Sequence, residues 1–299
     1  MIFYPCRDNS KLNKKPWQPD LWVGRAMINP HYPKGYLDWA NGAHAIIDST
    51  AFQTAIKRKT PDEALDKQLK TVAAVQAKGG IIDAIVHYDQ VLGVDEVVVD
   101  YVDSKGRTKQ KLKKQRGTED SARAAVEETV RCAHVYHQRR NEVPAPIAYS
   151  AQGANPEQYL ACVAELLPLL RPGYDWLALG GFCIIGPERW VRPAFYETCR
   201  RVFPLAAASR VPRVHILGVT TISCLRIAQE MARETSVSLS TDGSGPEQAG
   251  CRYGKKLCAD GTARPLAKLG QPARKWIDYH PNDLARENVC LFSDLCSSL

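Results

Sequence analysis

Apolar residues in this chain come in short blocks, and most blocks end in a polar or glycine signature. Six such runs stand out: IIDSTAFQ ending at Gln53, IVHYD at Asp89, IAYSAQG at Gly153, WLALGG at Gly181, HILGV at Val219 and VSLSTD at Asp242. Each has the length of a parallel strand buried on both faces. Between most of them the spacing changes to a helical one. In the stretch from Pro61 to Lys78, Leu65, Leu69, Val72 and Val75 share one face, Thr60-Pro61 makes a start signal and Gly79-Gly80 a stop. Further helices are predicted over Glu119–Arg139, Pro156–Leu170, Glu188–Val202 and Ile222–Glu234. Alternating strands and helices build a parallel sheet with crossover connections. Chemistry at the C-terminal end of every strand is the mark of a closed (β/α)8 TIM-like barrel, in which those ends share one face.

Two regions break the rhythm. Val91–Gly117 reads as a hairpin insertion turning at Ser104-Lys105-Gly106 with a basic return arm. After Asp242 the periodicity gives way to Gly, Pro and basic residues. The segment before Leu21 is polar and rich in Lys and Pro and reads as an arm, with Leu21–Ile28 as the first strand. The expected organisation is a single domain over 1–299, with its barrel core at about 21–245, the insertion at 91–117 and a basic C-terminal tail at 246–299.

Composition narrows the class. With 44% apolar and 24% charged residues the chain can bury a large core. No run approaches the roughly 18 apolar residues of a membrane span, and the first residues lack the apolar core of a signal peptide, so a cytoplasmic protein without a membrane partner is expected. There are 10 cysteines, and Cys132, Cys162, Cys183, Cys199 and Cys224 sit inside regular patterns as reduced, small core residues. The net charge of +8 is uneven: Lys105–Gly117 carries seven basic residues and no acid, and Cys251–Lys275 seven against Asp260. Such runs are either solvated loops or contacts for a polyanion, nucleic acid being the commonest. Lys109, Lys111, Lys113, Lys114, Lys255 and Lys256 are the expected phosphate contacts.

The strand ends carry the candidate chemistry. Asp242, followed by Gly-Ser-Gly, is either a turn cap or a carboxylate that a ligand approaches closely. Asp48-Ser49 is either a cap or a group facing the barrel mouth, with Phe52 either core or an aromatic face for a planar ligand. Asp89 and Gln152 suit the edge of a guanine-like base: the acid accepts from ring and exocyclic N–H groups, and the amide can donate to the carbonyl oxygen. Gly180-Gly181 makes either a tight turn or an opening through which backbone N–H groups reach the same ligand. Cys251, Cys258, His280, Cys290 and Cys296 are of zinc-ligand type, but their C-x6-C and C-x5-C spacings are loose for a zinc site. Neither a G-x-G-x-x-G nor a Walker A loop is present, and no redox cofactor is expected.

Taken in order, these signatures resemble the tRNA-guanine transglycosylase superfamily. IIDSTAFQ is similar to its D-S-G-G-F/Y-Q motif at Asp48, Ser49, Phe52 and Gln53; HYD matches a base-recognising aspartate at Asp89; SAQG matches V-Q-G at Gln152 and Gly153; LALGGF is similar to Y-A-V-G-G-L at Gly180 and Gly181; ILGV is similar to L-M-G-V; and Asp242 falls where the family's nucleophile ends a late strand. The resemblance spans about Ile46 to Asp242. It departs at Thr50-Ala51, which replace paired glycines, at Gln90-Val91 after Asp89, and in lacking the family's C-x-C-x-x-C zinc motif. These departures point to the DpdA-type DNA 7-deazaguanine transglycosylases of phages and bacterial islands. The resemblance implies an enzyme that replaces guanine in DNA with a free 7-deazaguanine such as 7-cyano-7-deazaguanine. Asp242 would be the nucleophile, Asp48 the acid/base and Asp89, Gln152, Gly180, Gly181, Ser49 and Phe52 the base pocket. No cofactor would be required, and structural zinc is left open. The alternatives are exchange in tRNA and a non-catalytic nucleic-acid-binding barrel of the same superfamily.

Overall fold

The computed structural model describes residues 1–6, 24–31, 33–37, 40–49, 60–90, 95–102, 106–115, 119–182, 191–251, 253–270 and 281–299. Eight strands form one parallel sheet in the order β1 (Ile2–Pro5), β10 (Ser238–Gly243), β9 (Arg213–Ile216), β8 (Trp176–Leu179), β7 (Ile147–Ala151), β4 (Ile81–Val86), β3 (His44–Ile47) and β2 (Arg25–Ile28). A parallel bridge between Cys6 and Met27 joins the two ends of that order, so the sheet curls into a nearly closed (β/α)8 barrel. Strands β5 (Asp95–Val102) and β6 (Thr108–Gln115) pair antiparallel outside it as the expected hairpin; its turn residues 103–105 lie outside the described residues.

Helices follow the strands. α1 (Lys34–Leu37) precedes β3; α2 (Pro61–Ala77), α3 (Glu119–Gln138), α4 (Pro156–Leu166), α5 (Val191–Ala208) and α6 (Ile222–Thr235) are the crossovers; α7 (Gly245–Cys251) and α8 (Pro281–Ser298) come after β10, with the small β11 (Lys255–Leu257)–β12 (Ala263–Pro265) hairpin between them. The sequence sets these boundaries locally. Thr60 and Glu63 close a reciprocal capping box at 3.2 and 3.0 Å with Pro61 in the first turn of α2, and Asn155 caps α4 through the Gln158 N–H at 2.9 Å.

The strands sort their side chains with period two. Ile46, Ala148, Trp176 and Ala178 fill the barrel interior together with Tyr4, Met27, Ala84 and Val86, while Ile47, Ile147, Leu177, Leu179, Val214 and Ile216 face the helices. The same phase carries Asp48, Gln152, His215, Ser240 and Asp242 toward the barrel axis. Near the N-terminal ends of the strands the interior is closed by polar contacts. Tyr4 donates to Asp83 at 2.5 Å, His44 Nδ1 lies 2.8 Å from the same carboxylate, and the Arg213 guanidinium stacks 4.4 Å over Trp176. Burial, and then the Asp83 charge, push the Tyr4 hydroxyl well above the ordinary tyrosine range, which keeps it a donor.

Two expectations are corrected. Ile2–Pro5 is a full member of the barrel between β10 and β2, not part of a polar arm. The C-terminal region is not only a basic tail, because α8 packs on β1, with Phe292 edge-on to Phe3 at 4.7 Å. Each correction has its own cause. IFYP is too short to show a period, and the apolar face of α8 (Leu284, Ala285, Val289, Phe292, Cys296) follows a long basic stretch that masks it. Cys132, Cys162, Cys199 and Cys224 are buried free thiols as expected; Cys183 lies outside the described residues. Among the described residues no helix is long and apolar enough to cross a membrane.

A buried ion pair ties the turn that follows α3 to the barrel. Asp175, fully buried before β8, accepts from Arg140 at 2.9 Å and from the N–H groups of Ile147 and Arg171 at 2.9 Å each. Burial raises its carboxyl pKa in spite of these donors. Replacing Arg140 with Met strands this charge and should cost about 3 kcal/mol of unfolding free energy, read from urea melts. A carboxyl whose folded pKa is raised destabilises the fold fully above that pKa, and the penalty fades as the pH falls to the unfolded value. The gap between variant and wild type should therefore shrink as the pH is lowered toward about 4.

Candidate active site at the C-terminal end of the barrel

Parallel strands that end on one face present their last residues to a common space. Here that space is a cavity of about 520 Å³, within the ordinary range for small-ligand sites. Asp48 and Ser49 reach it from the end of β3, Asp89 from beyond β4, Gln152 from β7, Gly180 and Gly181 from β8, Gly218 from β9, Asp242 from β10 and Cys6 from β1. Seven of the residues singled out from the sequence, Asp48, Ser49, Asp89, Gln152, Gly180, Gly181 and Asp242, line one cavity. Phe52 and Gln53 lie outside the described residues.

Asp242 is held on all sides. Its Oδ1 accepts from the Gly218 N–H at 2.8 Å and lies 3.1 Å from His215 Nε2; its Oδ2 lies 3.1 Å from the Cys6 thiol, which donates to it. Behind His215, Ser240 Oγ is 2.9 Å from Nδ1. With Nε2–H given to the carboxylate, Nδ1 is left to accept from the serine hydroxyl, so both ring nitrogens have a partner. The sequence pattern does not single out Cys6, His215 or Ser240. His215 and Ser240 nevertheless carry a readable signal, since each is a polar residue at an inward position of an otherwise apolar strand, two residues before another inward group.

Asp89 and Gln152 form a second unit. Asp89 Oδ2 accepts from Ser150 Oγ at 2.9 Å and from the Gln152 amide nitrogen at short range. Facing a carboxylate, the amide has to turn its nitrogen toward it, which fixes the orientation of Gln152. Asp89 Oδ1 and Gln152 Oε1 are then buried acceptors without a hydrogen-bond partner. Each such atom typically costs about 1–3 kcal/mol, so the site favours a ligand edge rich in N–H donors. The amide nitrogen expected to donate to a ligand carbonyl is here directed at Asp89.

The glycines serve this pair. A Cβ on Gly180 would overlap Gln152 Nε2 and one on Gly181 would stand 2.9 Å from Oε1, so both make room for the amide. The Gly180 N–H is spent on the Ala151 carbonyl at 3.0 Å and does not reach the cavity, contrary to the expected backbone contact. His87 supports the same region: its Nδ1 accepts from the Ser150 N–H at 2.8 Å, and burial lowers its pKa and keeps it neutral. Gln68 of α2 donates to the carbonyls of Asp48 at 2.9 Å and Val86 at 2.7 Å while accepting from Tyr136 at 2.6 Å. One buried amide thus fixes the ends of both strands that carry Asp48 and Asp89.

The predicted polyanion contacts lie elsewhere. Lys109, Lys111, Lys113 and Lys114 fall on β6, whose backbone alone is described. Lys256 pairs with Glu287 of α8 at 3.3 Å, and Lys255 lies 5.7 Å from the Tyr253 ring, so this pair is partly engaged by the protein itself. Cys296 is buried on the core-facing side of α8, and no group of three or more metal-type ligands forms among the described residues. The side chains of Cys251 and His280 fall outside them.

No protein-family model and no curated protein matches this chain. The cavity itself therefore carries the functional argument. If the glycine's role is to admit Gln152, Gly180→Ala should lower stability by about 1–3 kcal/mol through overpacking. Gln152→Ala in the same chain should recover part of that loss, a non-additivity read from thermal or urea unfolding of the two single variants and the double.

Proposed function

We propose that the chain is a base-exchanging transglycosylase that replaces guanine in DNA with a 7-deazaguanine of the 7-cyano-7-deazaguanine type. The observation that carries this reading is one cavity holding two carboxylates, Asp48 and Asp242, beside the Asp89–Gln152 pair with its two unpartnered buried acceptors. The Watson–Crick edge of guanine offers an N1–H and a 2-amino group side by side, which meet those acceptors.

The reaction follows as two displacements. Asp242 attacks the anomeric carbon of the deoxyguanosine, the C1′–N9 bond breaks, and its electron pair leaves with guanine, which takes a proton from Asp48. The incoming base loses its proton to Asp48, attacks the same carbon from the face guanine left, and releases Asp242. Two inversions give overall retention, the logic of retaining glycoside hydrolysis with its paired carboxylates. The target nucleotide has to leave the stack to enter such a cavity, so it is flipped out or met single-stranded. The basic hairpin, with seven positive charges between Lys105 and Arg116, inserts between β4 and α3 next to the Asp89 strand end and serves as the phosphate contact.

The direct test is incubation with labelled 7-deazaguanine and either plasmid DNA or tRNA, scoring which polymer gains label. Label in DNA is expected; label in tRNA alone would move the activity to RNA, and label in neither would end the proposal. Asp242→Asn should abolish incorporation while leaving the fold and DNA affinity nearly intact, since an amide of the same shape cannot form the ester. Wild-type incorporation by that variant would remove Asp242 from the nucleophile role.

The hairpin is tested separately. Changing Lys109, Lys111, Lys113 and Lys114 to Gln should weaken DNA binding regardless of sequence and flatten its salt dependence by roughly 0.7 to 0.9 for each phosphate no longer engaged. Turnover at saturating DNA should change little. An unchanged salt slope would return this segment to a solvated charged hairpin.

A further inference from the structure

The two oxygens of Asp242 are not equivalent, and the difference goes beyond naming this residue as nucleophile. Oδ1 receives two N–H donors that the fold cannot easily withdraw: the backbone of Gly218, and the ring of His215, which is fully buried with Ser240 behind it. Oδ2 receives the Cys6 thiol at 3.1 Å. A thiol is a weak donor beside an amide or an imidazole N–H, so Oδ2 keeps more of its electron density. The placement agrees. Cys6, Gly218 and Asp242 line the cavity, whereas His215 and Ser240 do not.

We infer that Oδ2 is the attacking atom of Asp242 and that Cys6 is the positioning residue that aims it, a refinement that rests on the transglycosylase reading. In the first step an Oδ2 lone pair forms the C1′–O bond as the C1′–N9 pair leaves with the base. Oδ1 becomes the ester carbonyl and keeps both of its donors. The thiol proton stays on sulfur throughout. When the incoming base attacks C1′, the C1′–Oδ2 bond breaks, its electron pair returns to Oδ2, and the thiol donates to it again. No oxidant or further reactant is needed.

The surroundings keep Cys6 in the form this requires. Burial first, then the charge of Asp242 and its hydrogen bond, and more distantly Asp48 and Glu247, push the thiol pKa well above its ordinary value. A thiolate facing Asp242 would repel it, and a thiol holds it. Cys6 also forms the bridge to Met27 that joins β1 to β2, so its position is set by barrel closure and not by a loop.

Two measurements test the assignment. In the first, single-turnover formation of the protein–DNA adduct is followed with wild type, Cys6→Ser and Cys6→Ala, each checked for an unchanged unfolding midpoint. A serine hydroxyl is the stronger donor and should slow adduct formation about tenfold at unchanged DNA affinity. Cys6→Ala removes the donor that aims Oδ2 and should slow adduct formation as well, so a wild-type rate in this variant overturns the aiming role. In the second, which needs no activity, alkylation of Cys6 by iodoacetamide is mapped by peptide mass spectrometry in wild type and Asp242→Asn. Removing the facing charge should raise the thiolate fraction and speed alkylation by about threefold or more. Equal adduct rates for wild type and Cys6→Ser, or alkylation indifferent to Asp242→Asn, overturn the role of Cys6. If wild type forms no adduct while alkylation responds, the transglycosylase reading falls, and the attacking role of Oδ2 with it. The Cys6–Asp242 hydrogen bond would survive that outcome.

Discussion

Polar side chains inside a barrel have to be met by partners, and at the mouth of this one that requirement organises everything near the cavity. Asp89, Ser150, Gln152, His215, Ser240 and Asp242 are all nearly or fully buried. Leaving such groups unpaired would cost several kcal/mol in sum. The chain answers with two closed sets, one around each of Asp89 and Asp242, in which almost every lone pair has a donor. The exceptions are Asp89 Oδ1 and Gln152 Oε1, both acceptors. Native proteins rarely leave buried acceptors unpaired without a use for them, so these two atoms bear more on function than the cavity's size does.

The support for these sets comes from residues with no chemistry of their own. Gln68 holds two strand ends from a helix, His87 receives the Ser150 N–H from β7, and the glycine pair yields the volume that Gln152 occupies. Gln68 and His87 lie behind the cavity, and the glycine pair lines it. A functional group fixed this way reaches the ligand already oriented, so less order has to be imposed on binding.

Much of this is legible in the order of residues alone. Buried parallel strands announce themselves as apolar runs of fixed length, and Asp48, Asp89, Gln152, Gly180 and Asp242 stand out because each ends such a run. What stays hidden is what depends on long-range partners. IFYP has no period to read, and nothing local says that it pairs with residues 240–243. The role of Cys6 needs that pairing, since only then does it face Asp242. The direction of the Gln152 amide and the use of the Gly180 N–H differ from expectation for the same reason: both are set by a neighbour on another strand, Asp89 in one case and Ala151 in the other.

The register that sets Tyr4 opposite Asp242 spans nearly the whole sequence. A ribosome delivers β1 before the other barrel strands and β10 and α8 after them, so β1 waits through synthesis of the barrel for both its neighbour and its cover. Contacts of such separation are slow to form, and the half-built sheet carries exposed edges in the meantime. The cavity cannot exist on the nascent chain, because Cys6 and Asp242 meet only once both ends of the barrel have been made. Any binding or chemistry at this site is therefore delayed until synthesis of the barrel is finished, and the seam between β1 and β10 is where slow or faulty folding would first be felt.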